Sequence, residues 1–283
     1  MSAEDWKLMD LVRWTADFFK KHDVPSPRLD AEILLAHVLD MKRMDLYLGF
    51  DQPVSEADRA RFRELVRRRA KERWPVAYLT GVREFWSMPF RVTPDVLIPR
   101  PETETLVRVV ADLKPRRIVE LGVGSGCVSA ALARELPDVE ITAVDCSGAA
   151  LEVARQNLAS LGFGERVQLV LASGLASLEG PFDLVVSNPP YIEAADIDRL
   201  APELRHEPRV ALDGGPDGLH TVRCLCAEAP ALLERPGWVA LEIGFGQADA
   251  VQELLRGAGA AEVQVFADLA GIPRVVLGRF LES

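Results

Sequence analysis

From Pro101 onward, short unbroken apolar runs alternate with segments of helical length, and no other feature of this 283-residue chain constrains its fold as much. The runs are Arg117 to Leu121, Ile141 to Asp145, Val167 to Ala172, Asp183 to Asn188 and Trp238 to Gly244. A strand with one wet face alternates polar and apolar residues. Strands without that alternation are covered on both faces, as when helices flank a largely parallel sheet. The last two runs, Val263 to Phe266 and Arg274 to Phe280, are joined through Gly271 and Pro273 with no room for a crossover helix. These two are predicted to pair antiparallel.

Residues 1–75 read differently. Trp6, Met9, Val12 and Phe19, then Ile33, Leu34 and Val38, then Phe62, Leu65 and Val66 recur at helical spacing and predict a small helical domain. Ser55 followed by Asp58 predicts a capped helix start, and Pro25, Pro27 and Pro53 punctuate the joins. The helix after Ser55 carries Arg59, Arg61, Arg63, Arg67, Arg68, Arg69, Lys71 and Arg73, a run expected to be a solvated face or a contact for an acidic partner or a nucleic acid. Residues 76–100, broken by Gly81, Pro89, Pro94 and Pro99, are expected to form a linking hairpin ahead of a third segment, residues 101–283.

With 48% hydrophobic and 27% charged residues the chain has the composition of a globular protein, which sets aside disordered, collagen-like and coiled-coil classes. No apolar run approaches the ~18 residues of a membrane span, and Met1 to Asp10 lack a basic stretch followed by an apolar one. Cys127, Cys146, Cys224 and Cys226 form no CxxC pair and have no histidine at metal-ligand spacing, so they are read as reduced thiols in a cytoplasmic protein. Cys224 and Cys226 fit an amphipathic helix better than a metal site. Residues 1–75 carry 15 Lys and Arg against 14 Asp and Glu, so the net charge of −10 leaves −11 for the remainder. That balance disfavours a long phosphate backbone as substrate, because such binding draws its affinity from neutralised phosphates.

Three groups of residues carry chemistry. Glu120-Leu121-Gly122-Val123-Gly124-Ser125-Gly126 closes the first strand and opens a helix near Cys127, where glycines allow a sharp turn and helix N–H groups face a ligand. A dinucleotide loop would need glycine at position 127, where cysteine stands, so hydride-transfer cofactors are disfavoured. Asp145 ends the second strand, 19 residues past Gly126, where a carboxylate accepts both ribose hydroxyls. Asn188-Pro189-Pro190-Tyr191 ends the fourth strand, at the cleft side of such a sheet. Each proline biases the residue before it toward extended backbone and brings no N–H group. What remains is a stiff rim of acceptors with Tyr191 as a flat wall. It suits a planar NH2 group held by the Asn188 side-chain oxygen and the Pro189 main-chain oxygen.

Glycine loop, strand-end Asp and Asn-Pro-Pro-Tyr together resemble the class I methyltransferases that use S-adenosylmethionine on planar nitrogen, whose substrates are base amino groups or glutamine amides. Leu79 to Trp86, Leu97 to Glu104, Asp213 to Leu219 and Glu242-Ile243-Gly244 are similar to the peptide chain release factor glutamine methyltransferases, the PrmC/HemK family, over essentially the whole chain. The resemblance implies an α/β fold: a seven-stranded, mostly parallel, Rossmann-like class I sheet with its last strand antiparallel, a small N-terminal helical docking domain and a linking β-hairpin. It implies methyl transfer from S-adenosylmethionine to the glutamine of a Gly-Gly-Gln tripeptide in class-one release factors, in support of translation termination, with no metal, no membrane and no nucleic-acid substrate. Asn188 and Pro189 are the expected catalytic residues. Pro190, Tyr191, Arg100 and Glu102 join them at the substrate. Glu120, Gly122, Val123, Gly124, Ser125, Gly126, Asp145, Cys146, Ser173, Gly174 and Asn188 are expected at the cofactor. The chain departs from the family at Ala172-Ser173-Gly174-Leu175, where an acidic and an aromatic residue are common near the adenine. Alternatives are a ribosomal-protein glutamine methyltransferase, an adenine-amino methyltransferase, which would need an extruded base and a basic track, and an idle release-factor chaperone.

Overall fold

A computed structural model describes residues 6–281. The chain forms two compact units, one holding the residues up to Gly81 together with Ala201–His206, the other holding Val82–Leu200 and the residues from Glu207 onward.

The first unit is helical: α1 (Leu8–Lys20), α2 (Pro27–Val38), α3 (Arg43–Leu48), α4 (Glu56–Lys71) and α5 (Val76–Thr80). α1 buries Leu8, Leu11, Val12 and Phe19 on one stripe, as their spacing predicts. α2 begins with proline, whose missing N–H costs nothing at that position. α4 begins as expected, with the Ser55 hydroxyl accepting from the Asp58 N–H at 3.1 Å. Phe19, Leu34, Leu35, Leu46 and Phe62 form the centre of the unit. Along α4, Arg61, Arg63, Arg67 and Lys71 are exposed, as a solvated face requires. Arg59, Arg68 and, beyond the helix, Arg73 are half-buried, and Arg69 leaves water altogether. It is buried, with Nε 2.7 Å from Asp30 Oδ2 and Nη1 2.8 Å from Glu203 Oε1, because a guanidinium can leave water only where carboxylates replace its hydration.

The second unit opens with a hairpin of β1 (Val82–Phe85) and β2 (Met88–Arg91), paired from Val82 with Arg91 to Phe85 with Met88. Its two turn residues, Trp86 and Ser87, both have positive φ, which matches the twist of a tight antiparallel turn. There follow α6 (Glu104–Leu113), β3 (Arg117–Leu121), α7 (Cys127–Glu135), β4 (Glu140–Asp145), α8 (Gly148–Ser160), β5 (Val167–Leu171), β6 (Phe182–Ser187), α9 (His220–Leu232), β7 (Leu233–Glu242), α10 (Ala248–Gly257), β8 (Glu262–Ala267) and β9 (Pro273–Phe280). Strands β3 to β9 make one seven-stranded sheet in the order β5-β4-β3-β6-β7-β9-β8.

Five neighbouring strands run parallel, and β9 pairs antiparallel with both β7 and β8. The pattern agrees with the sequence. Both faces of the sheet are covered. Ile118, Ala143, Leu184 and Ala240 pack into one core and Val119, Val144, Val185 and Val239 into another, so adjacent residues of one run serve opposite faces. Cys226 of α9 is buried and Cys224 exposed, as an amphipathic helix requires. Strand order reverses between β3 and β6, and the cleft of an open sheet lies at such a point.

Candidate active site

At the end of β3 the N–H groups of Gly122 and Val123 both donate to the Val144 carbonyl, at 2.8 and 3.0 Å, so the loop turns across the tip of β4. Gly126, with φ +79°, caps α7, and a Cβ there would meet Ala154 at 3.4 Å. Glycine is favoured there by the left-handed backbone, since the Cβ contact itself would be an ordinary one. Asp145, at the tip of β4, accepts from the Gly124 N–H through Oδ2 and from the Ser147 N–H through Oδ1, each at 2.9 Å. One residue thus ties the glycine loop to Ser147, which caps α8 by accepting from the Ala150 N–H, and leaves its remaining lone pairs at the cleft.

Glu120 behaves differently from Asp145. It is buried and accepts from the Ser129 hydroxyl, and loss of water, reinforced by the Asp145 charge, pushes its carboxyl up to about 8. It is mainly neutral at pH 7. Burial also pushes the Cys127 thiol up to about 12, so that cysteine is no nucleophile.

At the tip of β6, the Ser187 hydroxyl donates to the Leu121 carbonyl at 2.7 Å and joins the two strand ends. Asn188 Nδ2 lies 3.3 Å from Thr103 Oγ1. Neither Asn188 Oδ1 nor the Pro189 carbonyl takes a hydrogen bond from the described residues. The rim is backed by Asp213 to Leu219: Gly214 N–H donates to Ile192 O at 2.8 Å, and Gln247 Nε2 donates to the Tyr191 and Gly218 carbonyls at 3.1 and 3.2 Å. Gly218 has φ +72°, and a side chain there would collide with the Tyr191 carbonyl.

A cavity of about 260 Å³ lies between these strand tips. Of the residues expected from sequence, Arg100, Glu120, Gly122, Val123, Gly124, Ser125, Asp145, Cys146, Ser173, Asn188 and Pro190 line it. Glu102, Gly126, Gly174, Pro189 and Tyr191 are not among its lining residues. Gly174 packs against the Glu228 carboxylate, which accepts from the Leu175 N–H at 2.6 Å. Arg100 pairs with Glu207 at 2.5 Å, and Glu207 also accepts from the Ile98 N–H at 3.1 Å.

Sequence reasoning did not single out Thr103, Glu207, Gln247 or the side chain of Glu242. A carboxylate closing the apolar run Trp238 to Gly244 was the available signal for Glu242. Among the described residues no group of three His, Cys, Asp or Glu converges to hold a metal, and no helix is long and apolar enough to cross a membrane.

The strand tips thus bring a carboxylate, a glycine loop and two acceptor oxygens without hydrogen bonds from the described residues to one end of the sheet. The chain matches the PrmC N-terminal domain family over residues 10–81 and the Methyltransferase small domain family over residues 101–217. It is 41% identical over 280 residues to the release factor glutamine methyltransferase of Geobacter sulfurreducens, covering 98% of each chain. It is 44% identical over 260 residues to that of Moorella thermoacetica, covering 90% of this chain and 92% of the other. Among solved structures it is similar to the hMettl16 catalytic domain in complex with MAT2A 3′UTR hairpin 6, with TM-score 0.58, 15% identity and coverage of 81% and 84%. A methyltransferase from Pyrococcus furiosus matches with TM-score 0.52, 20% identity and coverage of 68% and 89%. At these identities the structural likeness shows the class I methyltransferase fold and nothing finer.

Proposed function

Because the chain belongs to the release factor glutamine methyltransferase family, and so is an S-adenosylmethionine-dependent protein-glutamine methyltransferase, we propose that it methylates the side-chain nitrogen of the Gly-Gly-Gln glutamine in class-one release factors and thereby supports translation termination. The observation that carries this reading is the pair of acceptors at the tip of β6, Asn188 Oδ1 and the Pro189 carbonyl, free of hydrogen bonds from the described residues. A carboxamide presents two N–H donors in one plane, and two such acceptors match them.

The residues of the cleft fit the cofactor. Asp145 offers carboxylate oxygens for a ribose diol, the Gly122 to Ser125 loop exposes backbone beside the cavity, and Ser173 adds a hydroxyl. S-adenosylmethionine supplies an electrophilic methyl when bound. The chain's task is to orient the nucleophile. An amide nitrogen is weakly nucleophilic because its lone pair is delocalised into the carbonyl. Two hydrogen bonds to Asn188 and Pro189 hold it in line and favour its pyramidalisation as the new bond forms. Orientation contributes up to about 7–11 kcal/mol in well-aligned systems, so the magnitude does not demand a dedicated base. As the N–CH3 bond would form, the sulfonium S–CH3 bond would break to leave a thioether, and the nitrogen, made acidic by methylation, would lose one proton to water. The helical unit, with the exposed Arg61, Arg63, Arg67 and Lys71 of α4, docks the protein partner.

Incubating the protein with release factor and cofactor, followed by mass spectrometry of the Gly-Gly-Gln peptide, tests this directly. A gain of one methyl on glutamine is expected, lost when that glutamine is replaced, and Asn188→Ala should lower the rate by about 100-fold or more, a magnitude typical of losing a donor or acceptor at a reacting centre. Labelled methyl appearing only in nucleic acid, or only in a ribosomal protein, would overturn the substrate assignment.

A further inference from the structure

Asn188 can serve as an acceptor only if its amide is turned the right way, and the residues behind it decide that. The last paired residues of β6 and β7 are Ser187 and Leu241, so Asn188 and Glu242 are the next residues along two adjacent strands. Thr103, from the turn Pro101–Thr103 ahead of α6, stands beside them: its Oγ1 lies 3.3 Å from Asn188 Nδ2, and its side chain favours the charged form of the Glu242 carboxyl. Thr103 is 2% exposed and Glu242 3%, and Glu242 Oε2 is buried with no hydrogen-bond partner among the described residues. A hydroxyl has one proton to give, while an ionised carboxylate only accepts. An ionised Glu242 therefore draws the Thr103 proton and leaves the Thr103 oxygen to accept from Asn188.

Resting on the glutamine reading above, we infer that Thr103 and Glu242 are positioning residues, which hold Asn188 with Nδ2 turned inward and Oδ1 presented to the substrate's NH2. The charged and titratable groups facing Glu242 are Arg274 on β9, Arg100 and Glu102 on the segment leading to α6, Tyr191 after β6 and the Cys127 thiol at the start of α7. Arg274 is itself paired with Asp268 at 3.0 Å. Burial pushes the Glu242 carboxyl up to about 7, against the opposing influence of the Thr103 side chain and the Arg274 charge. Protonation therefore falls within the working range. A protonated Glu242 donates to Thr103, frees the hydroxyl to donate elsewhere, and removes the constraint on Asn188.

The chain contains two asparagines, Asn157 and Asn188, so selective 15N-asparagine labelling yields two side-chain NH2 signals in the intact protein. The signal lost in Asn188→Ala is assigned to Asn188. Asn157, bonded to the Arg91 backbone and the Ser125 carbonyl, is the internal control. The Asn188 signal is expected to titrate with a midpoint near 7 in the wild type and in Thr103→Ser, and to stop titrating in Thr103→Val and Glu242→Gln. In parallel, kcat with release factor should rise with pH through the same midpoint. It should fall about tenfold or more in Thr103→Val, with cofactor affinity measured by calorimetry unchanged, and recover in Thr103→Ser. A wild-type signal that does not titrate, a titration that survives in either blocked variant, or an unchanged kcat overturns the inference. The titration needs no substrate, so it decides the positioning role even if release factor stays unmethylated, a result that would instead sink the substrate assignment.

Discussion

Glu120 and Asp145 close adjacent parallel strands at the same end of the sheet, yet their surroundings differ. Asp145 accepts two backbone N–H groups, whereas Glu120 meets one serine hydroxyl and no cation among its hydrogen-bond and ion-pair partners. The Glu120 carboxyl is raised from 4.5 to about 8, so the folded state binds its proton more tightly than the unfolded chain does. Its contribution to stability is present below about 4.5 and is lost as pH rises through about 8. Replacing it with the neutral isostere removes that loss. Thermal unfolding across pH 6 to 9 is therefore expected to show Glu120→Gln gaining on the wild type as pH rises; parallel pH profiles would contradict this account.

At the scale of elements, β3 and β6 carry both the stability of the sheet and the aim of its tips. Leu184, in the middle of β6, is fully buried, and Leu184→Ala should destabilise the protein by about 2–5 kcal/mol in chemical denaturation with little change in kcat for the folded fraction. Gly218 illustrates the opposite case. It lies outside the strands, but its positive φ and its contact with the Tyr191 carbonyl leave no room for a side chain. Gly218→Ala is expected to cost about 1–3 kcal/mol and also to displace the Asn188 rim, lowering kcat more than cofactor affinity. Transfer kinetics alongside calorimetric binding separate those effects.

For the whole molecule, the chain leaves the second unit at Leu200, contributes Ala201–His206 to the first, and re-enters the second at Glu207. Glu203 pairs with Arg69 at 2.8 Å and Arg73 at 2.6 Å, and the His206 ring stacks on Trp74 with centroids 4.3 Å apart. The helical unit is completed by residues far along the sequence. Glu203→Ala leaves Arg69 with Asp30 as its only carboxylate beside the Trp74 carbonyl and should lower the stability of the helical unit by about 1–3 kcal/mol, measured by hydrogen exchange on α4, while exchange in β3 and β6 stays as in the wild type.

What the sequence alone determined are the features set by neighbours along the chain. Unbroken apolar runs required a sheet covered on both faces, Gly271 and Pro273 required the last two strands to turn back, Ser55 and Asp58 marked the start of α4, and the glycine loop and Asn-Pro-Pro-Tyr could be placed at strand ends. Tertiary structure decided which distant residues meet. Thr103 reaches Asn188 across 85 positions, Arg100 finds Glu207 across 107 and Arg69 finds Glu203 across 134. The arginine run on α4 read as a solvated face, and only the fold shows that Arg69 is withdrawn into carboxylates. Local periodicity reports which face of an element is buried. The partner of a buried charge depends on strand order and chain return, which are set by the closure of the whole sheet and leave no periodic trace in the residues themselves.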